Sequence, residues 1–509
     1  MLNSENISAK DASTEKSRRA AIAAHRFGLG EASLGAIEAD PTGWLESQIG
    51  PADAPHGEGL LNTSQALAHV AAERQMQLER RRAVIDAGGT TPHDIAASEQ
   101  AAAALYREIA LADARSRLLT AAMTTRPFAE RLQWFWSNHF TVSLAKGSVR
   151  GLVGAFERDA IRPRIAGSFE QLLVASTTHP AMLRYLDNLQ SAGPNSPIVA
   201  RAARRAAGTD EAPRVTGLNE NLAREVLELH TLGAESARGA SPVYTQADVT
   251  ALARVLTGWR GGATDVNAEA DADKNFDFAW HEPGPKTLLG KTYPPGTGAL
   301  RDVLHDLAQH PATAHFIATK LARHFVADDP PPALVERLEN AYLRNAGQLA
   351  PVYRELIASP LAWRSQAQKL KTPEEFVVSS MRLLALDPAR AERLASNQDT
   401  QGKATAAAAS MAQATGAIAG LGQRVQTAPS PAGWSDRAED WLGPDAVWKR
   451  IEWATRTAGR FGNSVDARTL AAQSLGSRLS IETQTQLDHA ADGPQALALL
   501  LMAPEFQRR

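Results

Sequence analysis

Gly217-Leu-Asn-Glu-Asn-Leu-Ala-Arg-Glu-Val-Leu-Glu-Leu-His-Thr-Leu-Gly233 reads as one capped helix. Asn219 can cap a helix start whose first N–H groups lack internal partners, and Gly233 can close it in the left-handed conformation. Leu218, Leu222, Val226 and Leu229 recur at helical spacing and define a core-facing side. Asn221, Arg224, Glu225 and Glu228 form a second stripe, three and four residues apart, where side chains meet. His230 lies far around the helix from Glu228, so these groups do not converge from this helix alone. The stripe fits half of a buried polar site or an ion-pair network.

The same kind of segment fills most of the chain, so the expected fold is all-α, a large multi-helix assembly. Alanine is abundant and strand candidates are few, which favours helices. Arg126-Pro127 opens a helix that puts Phe128, Leu132, Phe135, Trp136 and His139 on one face. Thr245-Gln-Ala-Asp248 and Thr372-Pro-Glu-Glu375 both read as capping-box starts. One irregular Gly/Asp/Pro-rich insertion, about 258–298, interrupts the pattern, with Phe276-Asp-Phe278 as a small hairpin or ordered loop. Residues 190–215 read as a long exposed loop carrying the basic cluster Arg201-Ala-Ala-Arg-Arg205. Residues 1–17 form an expected disordered leader, 18–394 the main helical domain and 395–430 an Ala/Gly-rich linker-like segment. Helices within 431–509 are expected to pack on the main domain.

A chain of 509 residues can bury a large core. Charged residues make up 22% and the formal net charge is −2, so bulk electrostatics points to neither nucleic acid nor an anionic membrane. No cysteine is present, which excludes disulfides, thiol catalysis and cysteine metal sites. No apolar stretch is long enough to span a bilayer. Ser17-Arg18-Arg19 resembles a twin-arginine signal, but the apolar region that should follow is missing. The expected compartment is therefore the cytoplasm, with periplasmic export still compatible.

Four histidines, His139, His179, His230 and His281, sit in segments rich in polar or aromatic neighbours. None has the spacing of a metal-ligand pair, so a metal site would be assembled from different helices. Asp187-Asn188 and Gly193-Pro-Asn-Ser196 suit a helix end and a turn, or the rim of a pocket shared with Glu225. His281-Glu-Pro-Gly-Pro-Lys286 carries a cation and a glycine but lacks phosphate-loop spacing. Ser143-Leu-Ala-Lys146 matches a Ser-x-x-Lys arrangement without its companion motifs and reads as chance.

Several stretches together are similar to the bacterial domain-of-unknown-function family 1800. They are Trp134-Phe-Trp-Ser-Asn-His-Phe-Thr-Val-Ser143, His179-Pro-Ala-Met-Leu-Arg-Tyr-Leu-Asp-Asn188, Gly193-Pro-Asn-Ser196 and the opening helix. Tyr244–Val249, Leu256-Thr-Gly-Trp259, His281–Lys286, His324-Phe-Val-Ala-Asp-Asp-Pro-Pro331, Pro429-Ser-Pro-Ala-Gly-Trp434 and Ala503–Arg509 continue the series. The resemblance runs from about His25 to the C-terminus and brings no known activity or catalytic residues. It implies a partner of a sulfatase-like family, because members look as though they are often encoded beside such proteins.

Two functional expectations follow. One is a metal- or small-ligand-binding enzyme, a divalent metal being the candidate cofactor. Glu225 or Glu228 would serve as base or metal ligand, His230 or His139 as ligand or acid, and Arg224 would orient an anion. Asn138, His139, Asp187, Asn188, Asn195, Asn219, Asn221, His281 and Lys286 would contact the ligand. The other is a noncatalytic helical scaffold acting with the sulfatase-like partner.

Overall fold

Helix Pro127–His139 is buried on nearly every side in the computed structural model. Phe128, Leu132, Phe135, Trp136 and His139 point inward as the spacing predicts, but Glu130, Arg131, Gln133, Trp134 and Ser137 are buried too. A helix enclosed all round lies in the middle of a body rather than on its surface. Phe128, Leu132, Phe135 and Trp136 belong to the larger of two apolar cores, and Trp134 to the smaller. This helix is the wall between them.

The structure describes residues 13–86, 92–207, 217–239, 241–260, 276–385 and 414–509. The fold is all-α. The larger core takes side chains from helices Phe169–Thr178, Gln246–Leu256, Gly298–Gln309, Pro311–Phe325, Pro332–Arg344 and Leu349–Ala358. At its centre Trp136 Nε1 donates to Tyr353 Oη at 2.6 Å, and that hydroxyl donates to Ile165 O. The smaller core is built by helices Pro373–Leu383, 414–420, Pro444–Phe461, Ala467–Leu475, Ile481–Asp488 and Gly493–Met502. Among the described residues no helix is long and apolar enough to cross a membrane.

Both capping boxes form, with Asp248 and Glu375 accepting from the backbone N–H of Thr245 and Thr372. Among the described residues the one sheet is a hairpin of β1 (Lys286–Leu288) and β2 (Lys291–Tyr293), antiparallel, with Thr287 opposite Thr292. Its two-residue turn, Leu289-Gly290, has positive φ at both positions, which matches the strand twist. The hairpin therefore begins eight residues beyond Phe278, and Phe276 makes a single bridge to Trp259 in an ordered loop. Residues 261–275 of the expected insertion lie outside the described residues.

One other expectation changes, and two are described only in part. Pro197–Ala206, read as loop, is an exposed helix. Its Ala and Arg are strong helix formers, and Arg204 and Arg205 suit the negative end of the helix dipole. Of the leader, residues 1–12 lie outside the described residues and 13–17 are helical. Of the linker-like segment, 395–413 lie outside them, 414–420 are helical, and the chain beyond is pinned to the central helix, as described below.

Candidate functional site

The 217–233 segment forms helix Asn221–Glu225, which widens into a π-helical turn at Val226–His230. Asn219 Oδ1 accepts from Asn221 N at 2.9 Å, and Gly233 takes φ +86°. Arg224 reaches Glu220 and Glu228, both at 3.3 Å, and Gln246 Oε1 at 2.9 Å. The side chains of Arg224, Glu220 and Glu228 are 40%, 30% and 29% exposed, so this is a solvated ion-pair ladder. Burial, and then the charge of Glu228, push the Glu225 carboxyl up, while Arg224 opposes them. His230 turns the other way into the aromatic core, where its carbonyl accepts from His139 Nε2 at 3.1 Å. Burial, and then the charge of Lys320, lower both rings, His230 to about 3, so both stay neutral.

The second predicted group forms a latch. Lys146 pairs with Asp187 at 2.5 Å, and Ser143 Oγ donates instead to Ala428 O, so Ser143 and Lys146 do not act together. Asn188 Nδ2 donates to the carbonyls of Leu256 and Trp259. Asn195 donates its backbone N–H and Nδ2 to Glu282 at 2.9 and 2.6 Å. His281 Nδ1 donates to Thr257 O at 2.7 Å, which leaves Nε2 to accept from Lys286 Nζ at 3.0 Å. These bonds tie the 193–196 and 281–286 loops together and to the end of helix Gln246–Leu256. They do not join Asp187, Asn195 and Glu225 to one another.

Asn138 leads elsewhere. It lines a cavity of about 80 Å³ together with Trp134 and Ser137 of the central helix, Arg117, Glu157, His324, Thr372, Glu374 and Glu375. The remaining wall is a loop that brings Gln423, Gln426, Ala428, Trp434, Ser435 and Asp436. Asn138 holds that loop by donating Nδ2 to Trp434 O at 2.9 Å and accepting from Trp434 N at 2.8 Å. Leu144 N donates to Gln426 O at 2.9 Å. Gly433 permits the approach: its φ is +84°, and a Cβ there would stand 2.6 Å from Asn138 O. Gln426 also has positive φ, +55°, an uncommon conformation for a side chain of its kind.

Buried charges around the cavity are matched. Arg117 bridges Glu157 at 3.1 Å and Glu374 at 2.6 Å, and Glu375 pairs with Arg131 and with Arg509 at 3.0 Å. Burial raises the Glu374 carboxyl, with Arg117 opposing. Burial would raise Glu375 as well, but Arg131 and Arg509 outweigh it and hold the carboxyl well below the usual range. His324 Nδ1 lies 3.0 Å from Asp436 Oδ1. Burial pushes the Asp436 carboxyl up, but His324, Lys369 and Arg509 prevail and keep it ionised. The His324 ring is lowered by burial against the pull of Asp436. A carboxylate only accepts, so Nδ1 carries the hydrogen and Nε2 of the neutral ring is bare. That Nε2 has no partner, and neither do Trp134 Nε1, Trp434 Nε1 and Gln426 Oε1. Among the described residues no three His, Asp or Glu side chains gather as a metal ion would require.

A family model described as Protein of unknown function (DUF1800) matches residues 22–508. The chain belongs to this family. Comparison with curated proteins and with solved structures found no match. Three of the segments that resemble DUF1800 bring residues to the cavity: Trp134–Ser143, His324–Pro331 and Pro429–Trp434. Asn138 is the one cavity residue that the sequence offers as a ligand contact, while Trp134, His324 and Trp434 stand there only within the resembling segments. Glu374 and Glu375 were visible only as a helix start, and Arg117, Glu157, Gln426 and Asp436 gave no signal in their own neighbourhoods.

Proposed function

We propose that this DUF1800 protein is a small-molecule-binding enzyme whose site is the cavity beside His324. The observation that carries the reading is the His324–Asp436 pair with Nε2 left bare in a buried polar cavity. A ring oriented by a carboxylate and open at its other nitrogen is suited to general base work. Trp134, Trp434 and Gln426 bind and orient. Glu225 and Glu228 belong to the solvated ladder, and this reading gives them no chemical step. The scaffold alternative with a sulfatase-like partner rests on family resemblance alone.

The test is a ligand-observed NMR screen of small polar fragments against the full chain and two variants, His324→Gln and Trp134→Phe. Fragments that bind the wild type and are lost in both variants support the site. Fragments retained in both variants, or no binder at all, count against it.

A further inference from the structure

Resting on the reading of this cavity as a ligand site, we infer that the group it holds is a neutral carboxamide. Four buried polar atoms without a protein partner come from residues that line it. Two are indole N–H groups, Trp134 Nε1 and Trp434 Nε1, which only donate. The other two are acceptors: Gln426 Oε1, and His324 Nε2, because Nδ1 keeps the ring's hydrogen and donates it to Asp436. A buried polar atom left without a hydrogen bond is costly, so an occupant that satisfies all four is favoured. A carboxamide supplies the complement: a carbonyl oxygen with two lone pairs for the indoles, and an NH₂ with two hydrogens for Gln426 and His324.

Charge and size narrow the choice. A carboxylate has no hydrogen for Gln426 and would face Glu157, Glu374 and Asp436. An ammonium has no lone pair for either indole. The lining's own charges are already matched: Arg117 lies between Glu157 and Glu374, Glu375 pairs with Arg131 and Arg509, and Lys369 and Arg509 compensate Asp436, so no net charge is called for. A space of about 80 Å³ holds roughly a handful of waters and therefore a group of acetamide size. Gln426 sits at φ +55°, a strained conformation for a non-glycine residue that persists where a side chain is held for a task.

The experiment uses the full chain labelled with ¹⁵N-tryptophan, its Trp134 and Trp434 indole resonances assigned from the Trp→Phe variants. Acetamide, acetate and glycerol are titrated separately. The expected result is a saturable shift of both indole resonances with acetamide and none with acetate or glycerol. Gln426→Leu should weaken the acetamide response about tenfold, one lost hydrogen bond, while the other indole resonances stay in place and report an intact fold. A response to glycerol or acetate but not acetamide would overturn the carboxamide assignment and leave the cavity standing as a ligand site. Silence with all three would overturn both.

Discussion

Asp436 accepts from His324 Nδ1 at 3.0 Å, and this one contact fixes which nitrogen of the ring is left for chemistry. Arg509 donates Nη1 to His324 O and pairs with Glu375 through Nη2, so the ring's backbone is held by the same charged network that backs the cavity.

Asp436→Asn removes the charge while keeping the shape. A group whose folded pKa is depressed contributes stability above its unfolded value and loses it as pH falls toward its folded one. The variant should therefore be about 1–3 kcal/mol less stable than wild type at pH 7, a charged hydrogen bond's worth. The difference should shrink as pH drops below about 4, where the unfolded carboxyl protonates. Urea unfolding at a series of pH values checks both the size and the trend.

Glu375→Gln should be among the most destabilising changes of a single atom in this chain. Glu375 is 3% exposed and is the shared partner of Arg131 and Arg509, which are themselves buried. Breaking a buried pair by removing one partner costs about 3–5 kcal/mol because a charge is left uncompensated. Thermal and urea unfolding of the variant would show a loss of that order; a loss below 1 kcal/mol would mean that the network is well hydrated.

Arg224→Ala gives the contrast. Its partners Glu220 and Glu228 are partly exposed, and such pairs contribute under about 1 kcal/mol each. The expected outcome is a small change in the urea midpoint, smaller still at high salt, with fragment binding at the His324 cavity untouched.

Acid should weaken the fold through histidines that are buried neutral. His179 Nδ1 accepts from Ala181 N at 3.1 Å, so Nε2 carries the hydrogen and donates to Thr63 Oγ1, which donates to Asp159 at 2.6 Å. Burial, and then Arg164, lower the ring to about 3. Its folded pKa lies below the unfolded value near 6.5, so the unfolded chain takes up the proton first as pH falls. The contribution is complete above about 6.5 and declines toward 3, by about 2 kcal/mol at pH 5 from this one group. His179→Gln should flatten that part of the stability profile between pH 7 and 5.

Much of the fold was readable because its signals are local. The caps at Thr245 and Thr372 and the apolar face Phe128, Leu132, Phe135 and Trp136 each depend on residues within one helix. Helix Pro197–Ala206 was missed because a basic cluster resembles solvated loop, although alanine and arginine are good helix formers. The cavity was hidden for a different reason. Arg117, His324, Glu374 and Asp436 lie far apart in the chain and meet only through packing. Glu375 shows the limit well: one oxygen makes the cap legible from Thr372-Pro-Glu-Glu375, while the other meets Arg131 and Arg509, which no local pattern announces.

The most direct measurement is a two-bond ¹H–¹⁵N spectrum of the full chain labelled at histidine, with the His324 ring assigned from His324→Gln. The account predicts hydrogen on Nδ1 and an unprotonated Nε2 at pH 7, with the Nε2 signal moving when a cavity ligand is added. A ring protonated on Nε2, or an Nε2 signal that no cavity ligand disturbs, would contradict it.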